Sequence, residues 1–325
     1  MALIAALVGG YTANGKNGTL VRNSLVASPQ EEEHFFWKPG NEPNDYVAET
    51  LQAPEWLAQK FRDLNIQGDG LDAVIAAIRV LHAEPFKGKA IRKDLRTTWR
   101  LIHEEGRGYC ADFSKVFNAL MLLSDIPVRE WALGWDNFGS GHTFNEVYIA
   151  SLNKWVFVDA FNGMLVLDAI TQEPLSVLEF RRRLAERRFD GLIIDKHTSP
   201  DLFFQTTDEA IRYYARSSDY FYLIWGNNVF SYDAHPIVRK SAEVARFLER
   251  FVAIGLGQYP ELRLLVTETN AAAIREIRWI GIALLTAVVA EVVLGALLLW
   301  ILLGGWTTRT ASGQNITYSN RRVSA

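Results

Sequence analysis

The chain has 325 residues, 49% of them hydrophobic, which is typical of a globular protein of one large domain or two ordinary ones. Its formal net charge of −3 excludes the bulk basic field of a nucleic-acid-binding protein, so no nucleic-acid partner is predicted. The single cysteine, Cys110, excludes an internal disulfide and a cysteine-based metal knuckle, and it is therefore either a small core residue or a reactive thiol.

No cofactor and no metal site are predicted. The six histidines show no HxxxH-type spacing, which a zinc site on a helix would need. The glycine-containing run LVGGYTANGKNGT lacks the GK[ST] ending of a phosphate-binding loop.

Residues 1–68 are interpreted as an N-terminal extension of short strands and a helix, packed on the core that follows. Two Asn-Gly pairs occur in YTANGKNGTLVRNS, residues 11–24, and Asn-Gly is a strong local signal for a β-hairpin. The preceding MALIAALVGG is apolar, but it lacks a basic segment before it and a convincing cleavage site after it. A signal peptide stays open as the alternative for that stretch.

The segment 69–170 changes from helical to strand periodicity. Helical periodicity is found in LDAVIAAIRVLHA (71–83), with Asp69 as a possible cap, and in KDLRTTWRLIHEE (93–105). A third helix begins near Cys110, where apolar residues recur in steps of three and four. The following VREWALGW, HTFNEVYIA and KWVFVDAF are short, aromatic and β-branched, as in antiparallel strands. Helices followed by a block of strands predict an α+β fold.

Residues 171–270 are predicted to be a helical continuation of the domain. PLSVLEFRRRLAERR and VRKSAEVARFLERFVAIGL both have the periodicity of amphipathic helices. The second of these could pack on the domain or rest on a lipid surface. Residues 271–278 are interpreted as a short polar or helical linker.

Residues 279–303 are predicted to form a transmembrane helix in the lipid bilayer. The run WIGIALLTAVVAEVVLGALLLWILL has one ionisable side chain, Glu291, and about 20 apolar residues are enough to cross a bilayer. An ionised carboxylate is costly at that depth, so we expect Glu291 to be neutral or to face another helix, in a homo-oligomer or a membrane partner. Residues 304–325 are predicted to be a polar tail.

Two signals bear on the membrane face of the domain, and they conflict. Three arginines follow the span, Arg309, Arg321 and Arg322, and two precede it, Arg275 and Arg278. The larger number of basic residues after the span favours a cytoplasmic tail. Export of the large domain before the span would need a recognisable signal sequence, and the lack of one favours a cytoplasmic domain. We therefore expect a single-pass protein, anchored near its C-terminus, with the domain on the cytoplasmic side.

Three residues could form a nucleophilic site. Gly106 and Gly108 break one helix, and Cys110 then lies in the first turn of the next, where free amides and the helix dipole favour a thiolate. His142 follows a Gly-Ser-Gly loop as a strand begins and could act as the base. Asp159 is a lone carboxylate in an apolar strand, where burial is costly unless the group is paired, and it could orient the histidine.

Taken singly, each of the three residues also has a purely structural explanation. Cys110 could be a small buried side chain, His142 a half-exposed polar residue, and Asp159 a turn or ion-pair residue. An even-length loop between the two strands would place His142 and Asp159 on one face. The tightest loop staggers them by four residues, about 13 Å, whereas a four-residue loop at 149–152 places them directly opposite. The sequence does not choose between these registers.

The order and local sequence of these residues resemble the transglutaminase-like superfamily of papain-like cysteine enzymes. GYCADFSKVFNALMLLSDIPVR resembles its cysteine-bearing helix and GIPxR-type turn, and HTFNEVYI and KWVFVDA resemble its histidine and aspartate motifs. The resemblance covers roughly residues 70–165. It implies that Cys110 is the nucleophile, on a helix packed against an antiparallel sheet, with His142 as the base and Asp159 as its orienting residue. Two departures are Phe144, where tryptophan is frequent, and AFNG, where proline-threonine often follows the aspartate.

The resemblance implies a membrane-anchored, bacterial-type cysteine acyl-transfer enzyme that acts on an amide in a peptide or protein. Peptidase or amidase activity is favoured over cross-linking, because bacterial relatives of this type more often resemble proteases. The alternative is a catalytically silent transglutaminase-like membrane scaffold or binding protein, for example in envelope or polysaccharide assembly, since the superfamily contains members that kept the fold and lost the activity. Trp99 could be a wall of the site or a core residue.

Overall fold

A computed structural model describes residues 17–64, 66, 70–91, 93–135, 137–198, 204, 206–244 and 246–311. The helices within these ranges are α1 (Asn17–Ser24), α2 (Glu55–Asp63), α3 (Leu71–Leu81), α4 (Leu95–Glu105), α5 (Cys110–Leu123), α6 (Val177–Ala185), α7 (Thr207–Ala215), α8 (Val229–Ala234), α9 (Pro236–Val244), α10 (Arg246–Gly255) and α11 (Ala271–Ala311). The strands are β1 (Ala27–Gln30), β2 (Val128–Gly134), β3 (Gly141–Ile149), β4 (Lys154–Asp159), β5 (Met164–Asp168), β6 (Leu192–Lys196), β7 (Phe221–Ile224) and β8 (Leu262–Leu265).

The strands form one sheet in the order β1-β8-β7-β2-β3-β4-β5-β6. β1 and β8 pair in parallel at one edge, and the other neighbouring strands are antiparallel. Helix α5, which begins at the cysteine, packs on β2 and β3 in the middle of the sheet. The predicted α+β fold, with a cysteine-bearing helix on a largely antiparallel sheet, is confirmed.

Apolar clusters cover both faces of the sheet. On one face, α3, α4 and α5 bury residues such as Phe117 against Val147 and Val156. On the opposite face, α6 and α7 bury Phe144 and Phe157. Successive side chains of a strand point to opposite faces, so β3 and β4 contribute to both clusters. The nearly continuous apolar run of KWVFVD follows from this burial on two sides.

Residues 17–24 form helix α1, so the hairpin predicted from the Asn-Gly pairs is wrong for these residues. Leu20 and Val21 are 5% and 4% exposed, and α1 packs along α11. Burial against a neighbouring helix decides the conformation here, because local propensity is a weak prior that tertiary contacts override. The run MALIAALVGG and the possible cap Asp69 lie outside the described residues.

The segment 171–270 contains helices at both predicted positions, α6 at the first and α9 and α10 at the second, but also the helices α7 and α8 and the strands β6, β7 and β8. A purely helical description of this segment is therefore wrong. The strands read FYLI in β7 and LRLL in β8, and apolar runs this short cannot be assigned to helix or strand by periodicity. Strand pairing determines the conformation of these segments, because β7 pairs with β2 and β8 pairs with β7.

Helix α11 continues through the segment 271–278, which the sequence suggested as a linker. Ile274 and Ile277 are 7% and 0% exposed and pack in a cluster with Leu20 of α1. Three-residue spacing puts these isoleucines on one face of the helix, so the first turns of α11 belong to the domain core.

Beyond residue 278, α11 is long and apolar enough to cross a membrane. None of the residues in its most apolar 18-residue stretch is buried. The helix includes residues 304–311 of the predicted polar tail, and residues 312–325 lie outside the described residues.

Candidate active site

The turn before Cys110 depends on two glycines in the left-handed region. Gly106 has φ +62°, and a Cβ there would lie 2.0 Å from the carbonyl oxygen of Pro85. Gly108 has φ +127°, and a Cβ there would lie 3.0 Å from the ring of Phe113. A larger residue at either position would meet both backbone strain and a close contact. The two glycines thus allow α4 to end and α5 to begin with Cys110 only four residues after Gly106.

Cys110 is the first residue of α5 and is partly exposed. The N–H groups of a first helical turn have no partner within the helix, and the positive end of the helix dipole lies there. Asp112 fixes this end of the helix, because its Oδ2 accepts hydrogen bonds from the backbone N–H of Tyr109 and of Ile91, both at 3.0 Å. The thiol is therefore held where its thiolate form is favoured.

The sequence left open a stagger of four residues between His142 and Asp159, or none. The observed register of β3 and β4 gives a stagger of two. Asn145 pairs with Val158 and Ile149 pairs with Lys154, so the connection is residues 150–153. Ala150–Leu152 form a 3₁₀ turn, and Asn153 closes it with φ +52°, a conformation that asparagine tolerates.

Continuing this register places Asp159 opposite Phe144, two residues from His142 and on the same face. A diagonal pair of this kind is within reach of long side chains. His142 Nε2 lies 2.6 Å from Asp159 Oδ2. His142 is 3% exposed and Asp159 is 0% exposed, so the contact is shielded from water.

Asp159 accepts more hydrogen bonds than the sequence indicated. Its Oδ1 accepts from the backbone N–H of Phe161 at 3.0 Å and of Asn162 at 2.9 Å. Its Oδ2 accepts from His142, from Asn162 Nδ2 at 2.7 Å, and from the hydroxyl of Tyr214. Burial by itself raises the pKa of Asp159, but the charge of His142 and these hydrogen bonds lower the pKa below its ordinary value.

The imidazole of His142 and the backbone N–H of Thr143 are the groups that lower the pKa of the Cys110 thiol, and Cys110 and His142 line the same cleft. Since Nε2 of His142 faces Asp159, Nδ1 is the ring nitrogen left for the thiol. Burial raises the pKa of Cys110, but His142 and the backbone N–H of Thr143 together outweigh it, so that the pKa lies below its ordinary value. Burial lowers the pKa of His142, but the charge and hydrogen bond of Asp159 raise it to about 10. Both shifts favour a thiolate–imidazolium pair.

Cys110 and His142 line a cleft of about 280 Å³, and Asp159 lies fully buried behind the imidazole. The cleft is lined by Tyr109, Cys110, Gly141, His142, Phe161, Asn162 and Tyr213. Its walls are three aromatic rings, of which Tyr109 is 45% exposed and Phe161 is 6% exposed. Trp99 is 6% exposed and belongs to the core cluster below α5, so it does not line the cleft. Among the described residues, no group of three or more histidine, cysteine or carboxylate side chains could hold a metal ion.

Tyr213, Tyr214 and Asn162 are contacts that sequence reasoning missed. Both tyrosines belong to α7, which follows Asp159 by nearly fifty residues, and an amphipathic helix carries no local mark of what its buried face will touch. Asn162 lies in the AFNG stretch that replaces the usual proline-threonine, and that departure was the available signal. In the structure, Asn162 contributes two of the hydrogen bonds to Asp159.

The family model of the transglutaminase-like superfamily matches residues 75–160. This segment is a transglutaminase-like core. It contains Cys110, His142 and Asp159, together with α4, α5 and β2 to β4. Among curated proteins, no relative matches the chain.

Two solved structures resemble the chain in part. One is the periplasmic domain of TgpA from Pseudomonas aeruginosa bound to ethylmercury, with 18% identity and a TM-score of 0.27. That match covers 34% of this chain and 46% of that chain. The other is also the periplasmic domain of TgpA from Pseudomonas aeruginosa, with 19% identity and a TM-score of 0.26, and the match covers 34% of this chain and 44% of that chain. In both comparisons the match spans less than half of the solved chain.

Proposed function

We propose that this protein is a membrane-anchored cysteine acyl-transfer enzyme that cleaves amide bonds in peptides or proteins. Cys110 is the nucleophile, His142 the general base and acid, and Asp159 the residue that orients the imidazole. One observation carries the proposal: the buried 2.6 Å contact of His142 with Asp159 leaves the other ring nitrogen available to the thiol of Cys110, which lines the same open cleft at a helix start. A cysteine with its base and orienting group in this order has what covalent acyl transfer requires.

In the first half-reaction, the Cys110 sulfur attacks the amide carbonyl carbon. A carbon–sulfur bond forms, the carbon–nitrogen bond breaks, and the His142 imidazolium gives its proton to the leaving amine. The developing oxyanion can be met by the free backbone N–H groups at the start of α5. In the second half-reaction, neutral His142 takes a proton from water, whose oxygen displaces the sulfur and releases a carboxylic acid. An amine in place of water would give a cross-link instead.

The lining of the cleft favours an apolar or aromatic side chain next to the scissile amide. Tyr109, Phe161 and Tyr213 provide ring surfaces, and among the residues that the structure describes the lining contains no lysine, arginine or acidic side chain. Aromatic walls supply most of the contact area in small binding sites, while a few polar groups fix orientation. We therefore propose a peptide or protein substrate that is neutral at the cleaved position.

Helix α11 is proposed to anchor the enzyme in the bilayer, with the domain on the cytoplasmic side as the sequence suggested. The single cysteine allows a direct test of sidedness. In intact cells, a membrane-impermeant maleimide should label Cys110 only after the cytoplasmic membrane is permeabilised. Labelling without permeabilisation would place the domain on the outer side.

The enzymatic proposal is tested with the full-length protein in detergent and a set of peptides with apolar, acidic and basic residues. Mass spectrometry should find cleavage, and an acyl adduct on Cys110. Cys110→Ser should abolish both, and His142→Ala should lower turnover by a factor of about 10² to 10⁴. The matched control is His197→Ala, because His197 also pairs with an aspartate, Asp195 at 3.0 Å, but outside the cleft.

Cys110 reactivity decides between the enzyme and the silent scaffold. A free thiol has a pKa of about 8.5, and an imidazolium partner lowers it. Iodoacetamide should therefore label Cys110 at mildly acidic pH. If no peptide is cleaved and Cys110 is labelled only above about pH 9, the protein is a silent scaffold and not an enzyme.

A further inference from the structure

The helix that supplies Tyr213 and Tyr214 lies outside the segment that matches the family model. α7 approaches the site from the face of the sheet opposite α5. Its two tyrosines contact the same pair of residues in different ways. Tyr213 packs edge-on against the His142 ring, at 5.6 Å between centroids and 80° between planes. Tyr214 donates its hydroxyl to Asp159 Oδ2.

We propose that Tyr214 is a positioning residue, whose hydroxyl holds the Asp159 carboxylate with Oδ2 directed at Nε2 of His142. The inference rests on the proposed function of Cys110, His142 and Asp159. The donors at Oδ1, the backbone N–H groups of Phe161 and Asn162, are local to the turn that follows Asp159. Asn162 Nδ2 belongs to that turn as well. Tyr214 instead comes 55 residues later and from another layer, so it fixes the carboxylate relative to the rest of the domain.

The surroundings of Tyr214 make its hydroxyl a fixed donor. The side chain is 0% exposed, and its ring packs against Phe157, Phe180 and Phe144 at 5.4 to 6.0 Å between centroids. A ring enclosed in this way cannot turn its hydroxyl elsewhere without repacking the cluster. Burial and then the charge of Asp159 raise the pKa of Tyr214 well above its ordinary value, so the hydroxyl keeps the proton that it donates.

The other titratable groups near the pair do not replace this donor. The His142–Asp159 pair is faced by Cys110 from α5 and by Tyr213 from α7. The positive charge of Arg216 acts on Tyr213. From the end of α3 the pair faces His82, which contacts the backbone oxygen of Ala160 at 2.8 Å. Burial lowers the pKa of His82 from 6.5, so it is neutral at physiological pH.

Removal of the Tyr214 hydroxyl should leave Asp159 ionised but less firmly oriented. Three donors converge on Oδ2, and without Tyr214 two remain there, His142 and Asn162, so the terminal torsion of the carboxylate is less restrained. The bond to Nε2 then weakens, the imidazolium is less stabilised, and the thiolate beside it is less stabilised in turn. The Cys110 pKa should therefore rise.

The test measures the rate of iodoacetamide labelling of Cys110 against pH in the full-length protein in detergent. The chain has one cysteine, so the label reports this thiol alone. The acid limb of the profile is the range in which labelling falls because the thiol becomes protonated. In Tyr214→Phe this acid limb should move to higher pH by about one unit. The control is Tyr232→Phe, which removes a hydroxyl that also donates to a carboxylate, Glu249 at 3.2 Å, but outside the cleft, and should leave the acid limb in place. Thermal melting of each variant is recorded alongside.

A Tyr214→Phe profile that coincides with that of the unmodified protein would overturn the inference. So would a Tyr214→Phe protein that no longer melts cooperatively, because the hydroxyl would then serve the fold and not the orientation of Asp159. Failure of the proposed function is seen separately, in the unmodified protein. If Cys110 of the unmodified protein is not labelled at a lower pH than a free thiol is, the assembled Cys110 site is refuted before any tyrosine variant is compared.

Discussion

Asp159→Ala should destabilise the folded protein strongly. It removes a fully buried carboxylate and leaves its donors without an acceptor: the His142 imidazolium, the Tyr214 hydroxyl, the Asn162 amide and two backbone N–H groups. Removing one partner of a buried ion pair costs about 3–5 kcal/mol. For a domain of this size, 1 kcal/mol lowers the melting temperature by about 2–4 °C, so the expected fall is roughly 6–20 °C.

The pH dependence of that loss follows from the two shifted groups. The folded-state pKa of His142 is raised from 6.5 to about 10, so its contribution to stability is fully present below pH 6.5 and is lost as pH rises through 10. The folded-state pKa of Asp159 is lowered from 3.8, so its contribution is present above pH 3.8 and is lost as pH falls through the lowered value. The difference in stability between the unmodified protein and Asp159→Ala should thus be largest from about pH 4 to 6.5 and shrink toward pH 10.

The assay is thermal melting of both proteins in mild detergent across that pH range. Asp195→Ala is the matched control. Asp195 also contacts a histidine, His197 at 3.0 Å, but its side chain is 38% exposed. Pairs at the surface contribute only about 0–1 kcal/mol, so the control should melt close to the unmodified protein. Equal melting temperatures for Asp159→Ala and Asp195→Ala, or a loss that does not change up to pH 10, would refute the buried imidazolium–carboxylate pair.

Three further outcomes are expected. Gly106→Ala should lower the melting temperature and the yield of folded protein, because its Cβ would lie 2.0 Å from a carbonyl oxygen at φ +62°; an unchanged melt would contradict that geometry. A chain ending at residue 270 should be several kcal/mol less stable than one ending at residue 282, because it loses the burial of Ile274 and Ile277 at about 1.5–3 kcal/mol each; equal urea midpoints would show that these turns are dispensable. Glu291→Leu should weaken self-association or binding to a membrane partner in detergent, since a polar group at that depth is expected to face another helix, and an unchanged mass on a sizing column would argue against this partner role.

The sequence by itself was sufficient for the features that depend on local pattern. The glycines before Cys110, the helical periodicity after it and the change to strand periodicity placed the cysteine at a helix start and His142 and Asp159 on neighbouring strands. The apolar run from residue 279 likewise predicted a helix capable of crossing a membrane. These features follow from backbone sterics and from the spacing of apolar side chains, which are properties of short segments.

Only the tertiary structure decided which neighbours those residues meet. The stagger between His142 and Asp159 depends on which residues form the connection at 150–153, and several loop lengths fit the same alternation of side chains. The strands β7 and β8 and the helix α1 are defined by their partners, because segments of four to eight residues have too few internal contacts to select a conformation. The contact of Tyr214 with Asp159 joins positions 55 residues apart across the sheet. It exists because α6 and α7 close over that face, and no periodicity within either segment encodes a meeting between the two.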